Sequence, residues 1–254
     1  MNCMNIWAIG DLHLSFGVPN KSMEGFGPVW KDYENKVAIH WKELVAADDL
    51  VLIPGDISWA LHLFEVAKDL EWIDSLPGKK VIIRGNHDYW WPSASKLSSI
   101  LPPSIFAIHN NALFFDGIAI GGTRLWDTNE FSYNRLIDFR ESPLTKPKET
   151  INDEKIFLRE LERLSLSLKE IKKEGHYKIA MLHYPPIGPD GLPSKTTHLL
   201  EKAGINLCIF GHLHSVKEGI ELSYELNGIR YRCVSADYIK FKPVKLLDTK
   251  DLYH

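Results

Sequence analysis

The sequence predicts an α/β protein, a sandwich of mixed β-sheets covered by helices. In the early half, short runs rich in Ile, Val, Leu and Phe alternate with longer segments of helical periodicity. The last third adds closely spaced strand-like runs that favour hairpins, which argues against a purely parallel doubly wound sheet. The length of 254 residues suits a single domain over residues 1–254.

The predicted strands are short runs bounded by Gly, Asp, Asn or Pro, which are frequent turn residues. In chain order they are Asn5–Gly10, Leu50–Pro54, Lys80–Arg84, Ile105–Ile108, Leu113–Phe115, Ile118–Gly121, Lys178–Leu182, Asn206–Phe210, Gly219–Leu226 and Ile229–Val234. The dipeptides Asp116-Gly117 and Asn227-Gly228 each separate two of these strands, and both predict tight hairpin turns.

The clearest helix is predicted from about Thr150 to Glu174. Its apolar residues recur on one face at roughly the 3.6-residue period of an α-helix. These residues are Ile156, Leu161, Leu164, Leu168 and Ile171. Weaker helical patterns cover Tyr33–Ala47, Leu61–Leu76 and Thr196–Ala203.

Two long segments, residues 14–30 and 124–148, contain several Gly or Pro residues and fit neither pattern. Segments of this length inside compact domains are often lids or binding loops. A surface insertion with its own packing accounts for them equally well. The sequence leaves both interpretations open.

The composition argues against several classes of protein. The chain has 30 Lys+Arg and 33 Asp+Glu, a net charge of −3, whereas proteins that wrap nucleic acid usually have a strong basic excess. The apolar runs are too short to span a bilayer, and the N-terminus lacks the pattern of a signal peptide. The three cysteines form no CxxC pair, which disfavours a disulfide framework. We therefore expect a cytoplasmic protein without a membrane partner, for which nucleic acid is a disfavoured partner and whose oligomeric state is not predicted.

Polar residues that can bind metals follow five of the predicted strands. The clusters are Gly10-Asp11-Leu12-His13, Gly55-Asp56, Gly85-Asn86-His87-Asp88, His183 and Gly211-His212-Leu213-His214. In open α/β sheets, sites are built at the carboxyl ends of the strands. Each cluster alone is a weak signal, but all five in this order make a chance explanation improbable.

The donor atoms of these clusters indicate a metal centre. The side chains that could bind metal are Asp11, His13, Asp56, Asn86, His183, His212 and His214. Seven ligands are too many for one tetrahedral zinc ion and enough for two ions that share a carboxylate. Imidazole and carboxylate donors together suit Mn, Fe or Zn better than Ca or Mg. Two such ions, roughly 3.5–4 Å apart, can hold a bridging hydroxide and clamp a phosphate during an in-line displacement.

The motifs D-x-H, G-D, G-N-H-[DE], H and G-H-x-H resemble the pattern of the calcineurin-like metallophosphoesterase superfamily. The match runs from Asp11 to His214 and covers most of the chain. The resemblance implies a four-layer αββα sandwich of two mixed β-sheets flanked by helices, with a dinuclear site between the sheets. It also implies a metal-dependent phosphoric ester hydrolase.

The resemblance also implies a role for each motif residue. Three side chains would bind the first metal ion: Asp11, His13 and His214. Three would bind the second: Asn86, His183 and His212. Asp56 would bridge the two ions. His87 would face the substrate phosphate and donate to the leaving oxygen or to the transferring group.

The chain departs from the phosphoprotein phosphatases of this superfamily. Their second motif reads G-D-x-x-D-R-G, whereas Trp59 and Ala60 stand here in place of the second acid and the arginine. The chain therefore resembles the small bacterial-type phosphohydrolases more closely. Without the second acid, Asp88 is the candidate to orient His87, and a turn or supporting role is the alternative for Asp88.

Aromatic residues near the motifs are candidates for substrate binding. Trp59, Trp90, Trp91 and Trp126 follow motif residues or an adjacent strand, and Arg124 lies beside Trp126. We expect two of these tryptophans to pack in the core and one or two to stack on a base or sugar at the mouth of the site.

The sequence favours hydrolysis of a small phosphomonoester or phosphodiester, for example a nucleotide-like compound, with two Mn or Fe/Zn ions as cofactors. A nuclease-type phosphodiesterase is the first alternative, but the balanced charge and the short chain favour a small substrate. A non-catalytic scaffold is the second alternative. Such a scaffold would be expected to have lost metal ligands, and here the motifs are intact.

Overall fold

The computed structural model describes residues 4–138, 150–171 and 176–252. In chain order the strands of this part are β1 (Asn5–Ala8), β2 (Leu50–Ile53), β3 (Lys79–Ile82), β4 (Ile105–Ala107), β5 (Ala112–Phe115), β6 (Ile118–Thr123), β7 (Tyr177–Leu182), β8 (Leu207–Phe210), β9 (Ser223–Leu226), β10 (Ile229–Cys233) and β11 (Val244–Asp248). The helices are α1 (Tyr33–Leu44), α2 (Leu63–Ser75), α3 (Ala94–Ile100), α4 (Thr150–Ile171) and α5 (Lys195–Ala203).

The strands form two mixed sheets. The first has the order β11-β1-β2-β3-β4 and the second the order β5-β6-β7-β8-β10-β9. The inner strands pair in parallel, while β11, β5 and β9 pair antiparallel with their neighbours. The parallel strands come from the strand–helix alternation of the chain, and the antiparallel ones come from hairpins or the chain end.

Three apolar layers hold the sheets and helices together. The layer between the sheets contains residues of both, including Ile6, Leu52, Val81, Ile120, Ile179 and Ile209. A second layer packs α1, α2 and α3 on the first sheet, through side chains that include Val37, Leu70 and Leu97. A third packs α4 and α5 on the second sheet, through side chains that include Leu164 and Leu200. The predicted four-layer αββα sandwich is therefore confirmed.

The two predicted hairpin turns are present. Both central residues of each turn have positive φ: 42° and 81° at Asp116 and Gly117, and 51° and 78° at Asn227 and Gly228. This is the type I′ geometry, whose twist matches that of the flanking strands. The turns join β5 to β6 and β9 to β10.

Two observed elements have no predicted counterpart, and the predicted strand Gly219–Leu226 is shorter, at Ser223–Leu226. Strand β11 was not among the predicted strands, and it pairs with β1 at the edge of the first sheet. Helix α3 is not among the predicted helices either. It is seven residues long with one buried apolar residue, Leu97, which is too few for a helical periodicity to be recognised. The end of the predicted helix, residues 172–174, lies outside the described residues.

The irregular segment 14–30 consists largely of three short 3₁₀ turns, at Pro19–Lys21, Met23–Phe26 and Pro28–Trp30. Met23 and Trp30 are buried against the first sheet and its helices, so this segment has packing of its own. Of the segment 124–148, residues 139–148 lie outside the described residues. No helix in the described part of the chain is both long and apolar enough to cross a membrane.

Candidate active site

The predicted metal donors lie in loops at one edge of the sandwich. These loops follow β1, β2 and β3 in the first sheet and β7 and β8 in the second. The carboxyl ends of these five strands meet at this edge. Hydrogen bonds join the loops. The amide of Asp11 donates to the carbonyl of Gly55 (3.1 Å), and the amide of His13 donates to that of Asp56 (2.9 Å). The amide of His212 donates to the Asp11 carboxylate (3.0 Å), which connects the two sheets.

Four of the donors have a left-handed backbone conformation. The φ angle is 55° at Asp11, 45° at His13, 49° at Asp56 and 71° at His212. Asp and His tolerate this conformation better than most residues, but it still costs free energy. Such strain is concentrated here where side chains from separate loops turn toward one point, which is typical of functional sites.

The motif glycines allow the loops to approach each other. A Cβ at Gly85 would lie 2.1 Å from Asp56 Oδ1, and a Cβ at Gly211 would lie 2.5 Å from Asp11 Oδ2. Both distances are shorter than any normal contact between non-bonded atoms. Glycine before Asn86 and before His212 is therefore required by the close packing of the loops.

The first group of donors contains Asp11, His13 and His214, with one ligand atom of each within 4.8 Å of the others. His13 Nε2 and His214 Nε2 are 3.1 Å apart. His214 Nε2 is 3.9 Å from Asp11 Oδ1. His13 Nε2 is also 3.5 Å from Asp56 Oδ2. The structure thus brings together the donors that the resemblance assigns to the first metal ion.

The second group of donors contains Asn86, His183 and His212. Asn86 Oδ1 lies 2.6 Å from His183 Nε2 and 3.1 Å from His212 Nδ1. His183 Nε2 is 3.5 Å from Asp56 Oδ2, the oxygen that also approaches His13. Asp56 therefore lies between the two groups, as a bridging carboxylate must. Asp11 is near this group as well, because one ligand atom each of Asp11, Asp56 and His183 lie within 4.8 Å of one another.

The ring of His183 is held in one orientation by the backbone. Its Nδ1 donates to the carbonyl of Pro54 at 3.0 Å, so in the neutral ring Nε2, which faces Asn86 Oδ1, carries the lone pair. Burial lowers the pKa of both His183 and His13 well below the ordinary value, so these imidazoles are neutral. Neutral imidazole is the form that binds metal ions.

The site fits metal cations by its chemistry. Burial raises the pKa of Asp56 well above its usual range and that of Asp11 to about 6, and the nearby charge of His214 offsets this rise only in part. Two imidazole nitrogens 3.1 Å apart, those of His13 and His214, need a proton or a cation between them. Buried carboxylates, neutral imidazoles and an amide oxygen form a set that suits borderline metal ions.

Asp237 is a residue of this site that sequence reasoning missed. Its carboxylate is 2.8 Å from His214 Nδ1 and accepts a second hydrogen bond from the amide of Ser215 (2.9 Å). Carboxylates in this position fix the ring of a metal-binding histidine and make it a stronger ligand. No motif marks Asp237, and the one available signal was its place just after β10, a strand that ends at the same edge.

Asp88 is tied to the loops and not to the imidazole of His87. Its carboxylate is fully buried and accepts hydrogen bonds of 2.7–3.1 Å from four groups: the backbone amides of Ile57, Ser58 and Gly85 and the indole of Trp90. These bonds join the loop after β2 to the loop after β3. The predicted catalytic role of Asp88 is corrected to the alternative, a supporting role.

We expect Asp88→Asn to reduce stability by about 2–4 kcal/mol, because an amide cannot accept all four hydrogen bonds and leaves buried donors without partners. Urea unfolding of the metal-free protein measures this effect apart from metal binding. Asp48→Asn, at an exposed position in the loop before β2, is the control and should change stability by less than about 0.5 kcal/mol. A variant with unchanged stability and a large loss of kcat would restore the catalytic role.

Two of the four predicted substrate-binding tryptophans belong to the core. Trp90 is 3% exposed and Trp91 is 7% exposed, and both pack in the apolar layer between the first sheet and its helices. Their indole N–H groups donate to Asp88 and to His109 Nδ1, respectively (3.0 and 3.1 Å). The prediction that Trp90 and Trp91 contact substrate is therefore wrong, and the expectation that two tryptophans are packing residues holds.

Trp59 lies at the site itself. Its ring is stacked on that of His13, with centroids 4.8 Å apart and 23° between the planes, and it lies 6.1 Å from the ring of Phe26. The ring of His87 is 4.5 Å away. The substitution of the second acid by tryptophan thus places an aromatic wall against the donor cluster.

His87 lies beside the donors with its ring partly exposed. Its amide donates to Asp56 Oδ1 at 2.8 Å, and its ring centroid is 5.5 Å from that of His13. Burial, reinforced by the charge of His214, lowers the pKa of His87 to about 4. A neutral imidazole in this place has one N–H to donate to a substrate oxygen.

Arg124 and Trp126 lie on the side of the site where His212 is found. The Arg124 guanidinium is 4.5 Å from the centroid of the Trp126 ring and 3.2 Å from Glu160 Oε1. The Trp126 ring is 5.1 Å from that of Tyr184, which in turn is 4.0 Å from the ring of His212. Trp126 is therefore connected to His212 through Tyr184, whereas the Arg124 guanidinium is engaged with Glu160 and Trp126.

The chain is similar to known proteins in sequence and in fold. The sequence pattern of the calcineurin-like phosphoesterase family matches residues 4–216. The gene 66 protein of Mycobacterium phage D29 is 34% identical over 84 residues, which are 33% of this chain and 40% of that protein. The chain thus spans about 40% of the length of the curated relatives it matches.

Two solved structures are similar over most of this chain. Phosphopantetheinyl hydrolase (PptH) from Mycobacterium tuberculosis has a TM-score of 0.52 and 15% sequence identity, over 96% of this chain and 95% of that chain. A protein proposed to be a 5′-nucleotidase of Staphylococcus aureus has a TM-score of 0.50 and 12% identity, over 91% of this chain and 48% of that chain. At these identities the likeness concerns the fold.

Proposed function

The chain belongs to the calcineurin-like phosphoesterase family, and from this we propose that it hydrolyses small phosphate esters with two metal ions at the site. The observation that carries the proposal is the convergence of all seven predicted donors from both sheets on one cluster, in which four of them are buried. A scaffold that had lost its chemistry would have no reason to keep the strained loops and the close glycines that this cluster requires.

We assign the first metal ion to Asp11, His13 and His214 and the second to Asn86, His183 and His212, with Asp56 between them. When bound, the ions would neutralise the charge of the phosphate and activate a water molecule at neutral pH. Asp237 would hold the ring of His214, and the Pro54 carbonyl would hold that of His183.

The side chains around the donors have separate tasks in this proposal. His87 donates its ring N–H to an oxygen of the substrate, either on the leaving group or on the phosphate. Trp59 covers the face of His13 and excludes water from that side of the cluster. Asp88 keeps the loops of Asp56 and Asn86 at a fixed distance through its hydrogen bonds.

A small substrate is favoured over a phosphoprotein. The arginine and second acid with which the phosphoprotein subgroup clamps its substrate are replaced here by Ala60 and Trp59, and Ala60 is buried. One structural neighbour is a phosphopantetheinyl hydrolase and another is a proposed 5′-nucleotidase, names that denote small phosphate compounds. At 15% and 12% identity these proteins share the fold with this chain, and the preference for a small substrate rests on Trp59 and Ala60.

The proposal is tested by measuring hydrolysis of aryl phosphates, phosphodiesters, nucleotides and a phosphoserine peptide. The protein is first stripped with a chelator and then supplied with Mn, with Fe and Zn, or with no metal. We expect no activity without metal, activity on small esters after reconstitution, and two ions per chain by elemental analysis. Equal activity in the stripped protein, or faster hydrolysis of the peptide than of any small ester, would overturn the proposal.

A further inference from the structure

A cleft of about 580 Å³ opens beside His212. One wall is formed by Tyr184 and Pro185, which follow β7, and the other by residues between Trp126 and Ile137. The second wall is the described part of an irregular segment that was expected to be either a binding loop or an insertion. The volume is within the range of roughly 300–1,000 Å³ that is usual for small-molecule sites.

The cleft and the donor cluster share an aromatic wall. The ring of Tyr184 lies 4.0 Å from that of His212 at an angle of 35°. The ring of Trp126 follows at 5.1 Å from Tyr184, and Phe131 lines the cleft as well. A phosphate at the donors would therefore have flat aromatic surfaces next to whatever group it is esterified to.

This wall is fixed before any ligand binds. The Trp126 indole N–H donates to Asp153 at 3.0 Å, and the Arg124 guanidinium lies over the Trp126 ring. Arg124 is itself held by the buried Glu160. Surfaces that are already ordered lose little conformational entropy on binding, so they contribute more to affinity.

The polar lining indicates what the cleft can bind. It includes the neutral side chains of Thr128, Asn129, Ser132 and Asn134 and the acid Asp127. Among the lining residues of the described chain, His212 is the single group that could carry positive charge. Such a lining suits an uncharged ring with hydrogen-bonding edges and disfavours a chain of further phosphates.

We infer that this cleft binds the organic group of the substrate and selects a flat, uncharged, hydrogen-bonding ring system, as in a nucleoside monophosphate. The inference rests on the proposed function, since it assigns the leaving group of the same reaction. Stacking on Trp126, Tyr184 and Phe131 increases kcat/KM for such esters by roughly five- to a hundredfold over an alkyl phosphate.

The test compares adenosine 5′-monophosphate with methyl phosphate on the metal-loaded protein. The quantity measured is the ratio of the two kcat/KM values, together with the Kd of adenosine 5′-monophosphate by calorimetry. We expect the ratio to fall at least about fivefold in Phe131→Ala and in Trp126→Ala, and to recover in Trp126→Phe, which keeps an aromatic ring. Because Phe131 is partly exposed, we expect Phe131→Ala to fold, and this variant tests the inference if Trp126→Ala does not fold.

Phe114→Ala is the matched control, since Phe114 is a 42% exposed aromatic residue on β5, away from the cleft, and the ratio should not change. A ratio near one in the wild type, or one that both cleft variants leave unchanged, overturns the inference while metal-dependent hydrolysis still supports the proposed function. If no ester is hydrolysed, the proposed function fails, and the leaving-group assignment that depends on it is overturned as well.

Discussion

Asp56→Asn should abolish most of the activity and weaken the binding of both metal ions, while the fold is retained. Asp56 Oδ2 lies 3.5 Å from His13 Nε2 and 3.5 Å from His183 Nε2, one in each donor group. A neutral amide bridges two cations poorly. Loss of a residue that only supports a ligand already costs roughly 10–100-fold in metal affinity or activity, so we expect a loss in kcat/KM of more than about 100-fold.

The fold should survive this substitution for two reasons. Asn tolerates the left-handed conformation that Asp56 adopts, with φ of 49°. Burial, followed by repulsion from Asp88 and Asp11, raises the pKa of Asp56 well above its usual range. A carboxyl group with a raised pKa in the folded state costs stability at every pH above its unfolded value, and the amide removes that cost.

Three measurements check the prediction: ions per chain, kcat/KM after metal addition, and the melting temperature of the stripped protein. The stripped variant should melt at the same temperature as the stripped wild type, or higher. Asp116→Asn, in the β5–β6 turn far from the donors along the chain, serves as the control. Two tightly bound ions and wild-type activity in Asp56→Asn would show that Asp56 is not the bridge.

His87→Ala should lower kcat by roughly 10²–10⁴-fold, the usual contribution of a positioned proton or hydrogen-bond donor. The ring of His87 lies 5.5 Å from that of His13 and 4.5 Å from that of Trp59, next to the donors but outside both donor groups. We therefore expect the variant to keep both metal ions. The backbone bond from His87 to Asp56 does not depend on the side chain and should persist.

Metal content and kcat are measured on the same preparations of wild type and His87→Ala. His198→Ala is the matched control, because His198 is an exposed histidine on α5, and it should match the wild type in both quantities. Loss of one or both ions in His87→Ala would identify His87 as a ligand. A kcat within about threefold of the wild type would show that His87 has no part in the reaction.

The candidate donors and a sandwich of mixed sheets covered by helices could be predicted from the residues, and the family resemblance added the four layers. Asp11, Asp56, Asn86, His183 and His212 each follow a short apolar strand, and the carboxyl ends of parallel strands meet at one edge. The pattern involves a few consecutive residues and occurs at the end of each of these strands. The two hairpin turns were likewise encoded locally, by dipeptides that accept positive φ.

The tertiary structure alone decided what surrounds the donors. Asp237 contacts His214 across 23 positions, and Asp88 contacts Ile57 across 31 positions, and the motifs do not indicate either contact. The tryptophans are the clearest case. Trp90 and Trp91 follow a motif as closely as Trp59 does, yet they are buried in the core, while Trp59 stacks on His13.

The physical reason lies in how far each kind of interaction reaches along the chain. Strand periodicity, turn conformation and the residue types of metal donors are properties of a few consecutive residues, so the sequence by itself determined them. The direction of a loop side chain depends on the packing of segments that are distant in sequence. The contact of the Asp237 carboxylate with His214 and the aromatic cleft at Trp126 and Tyr184 therefore depend on the tertiary packing of the two sheets.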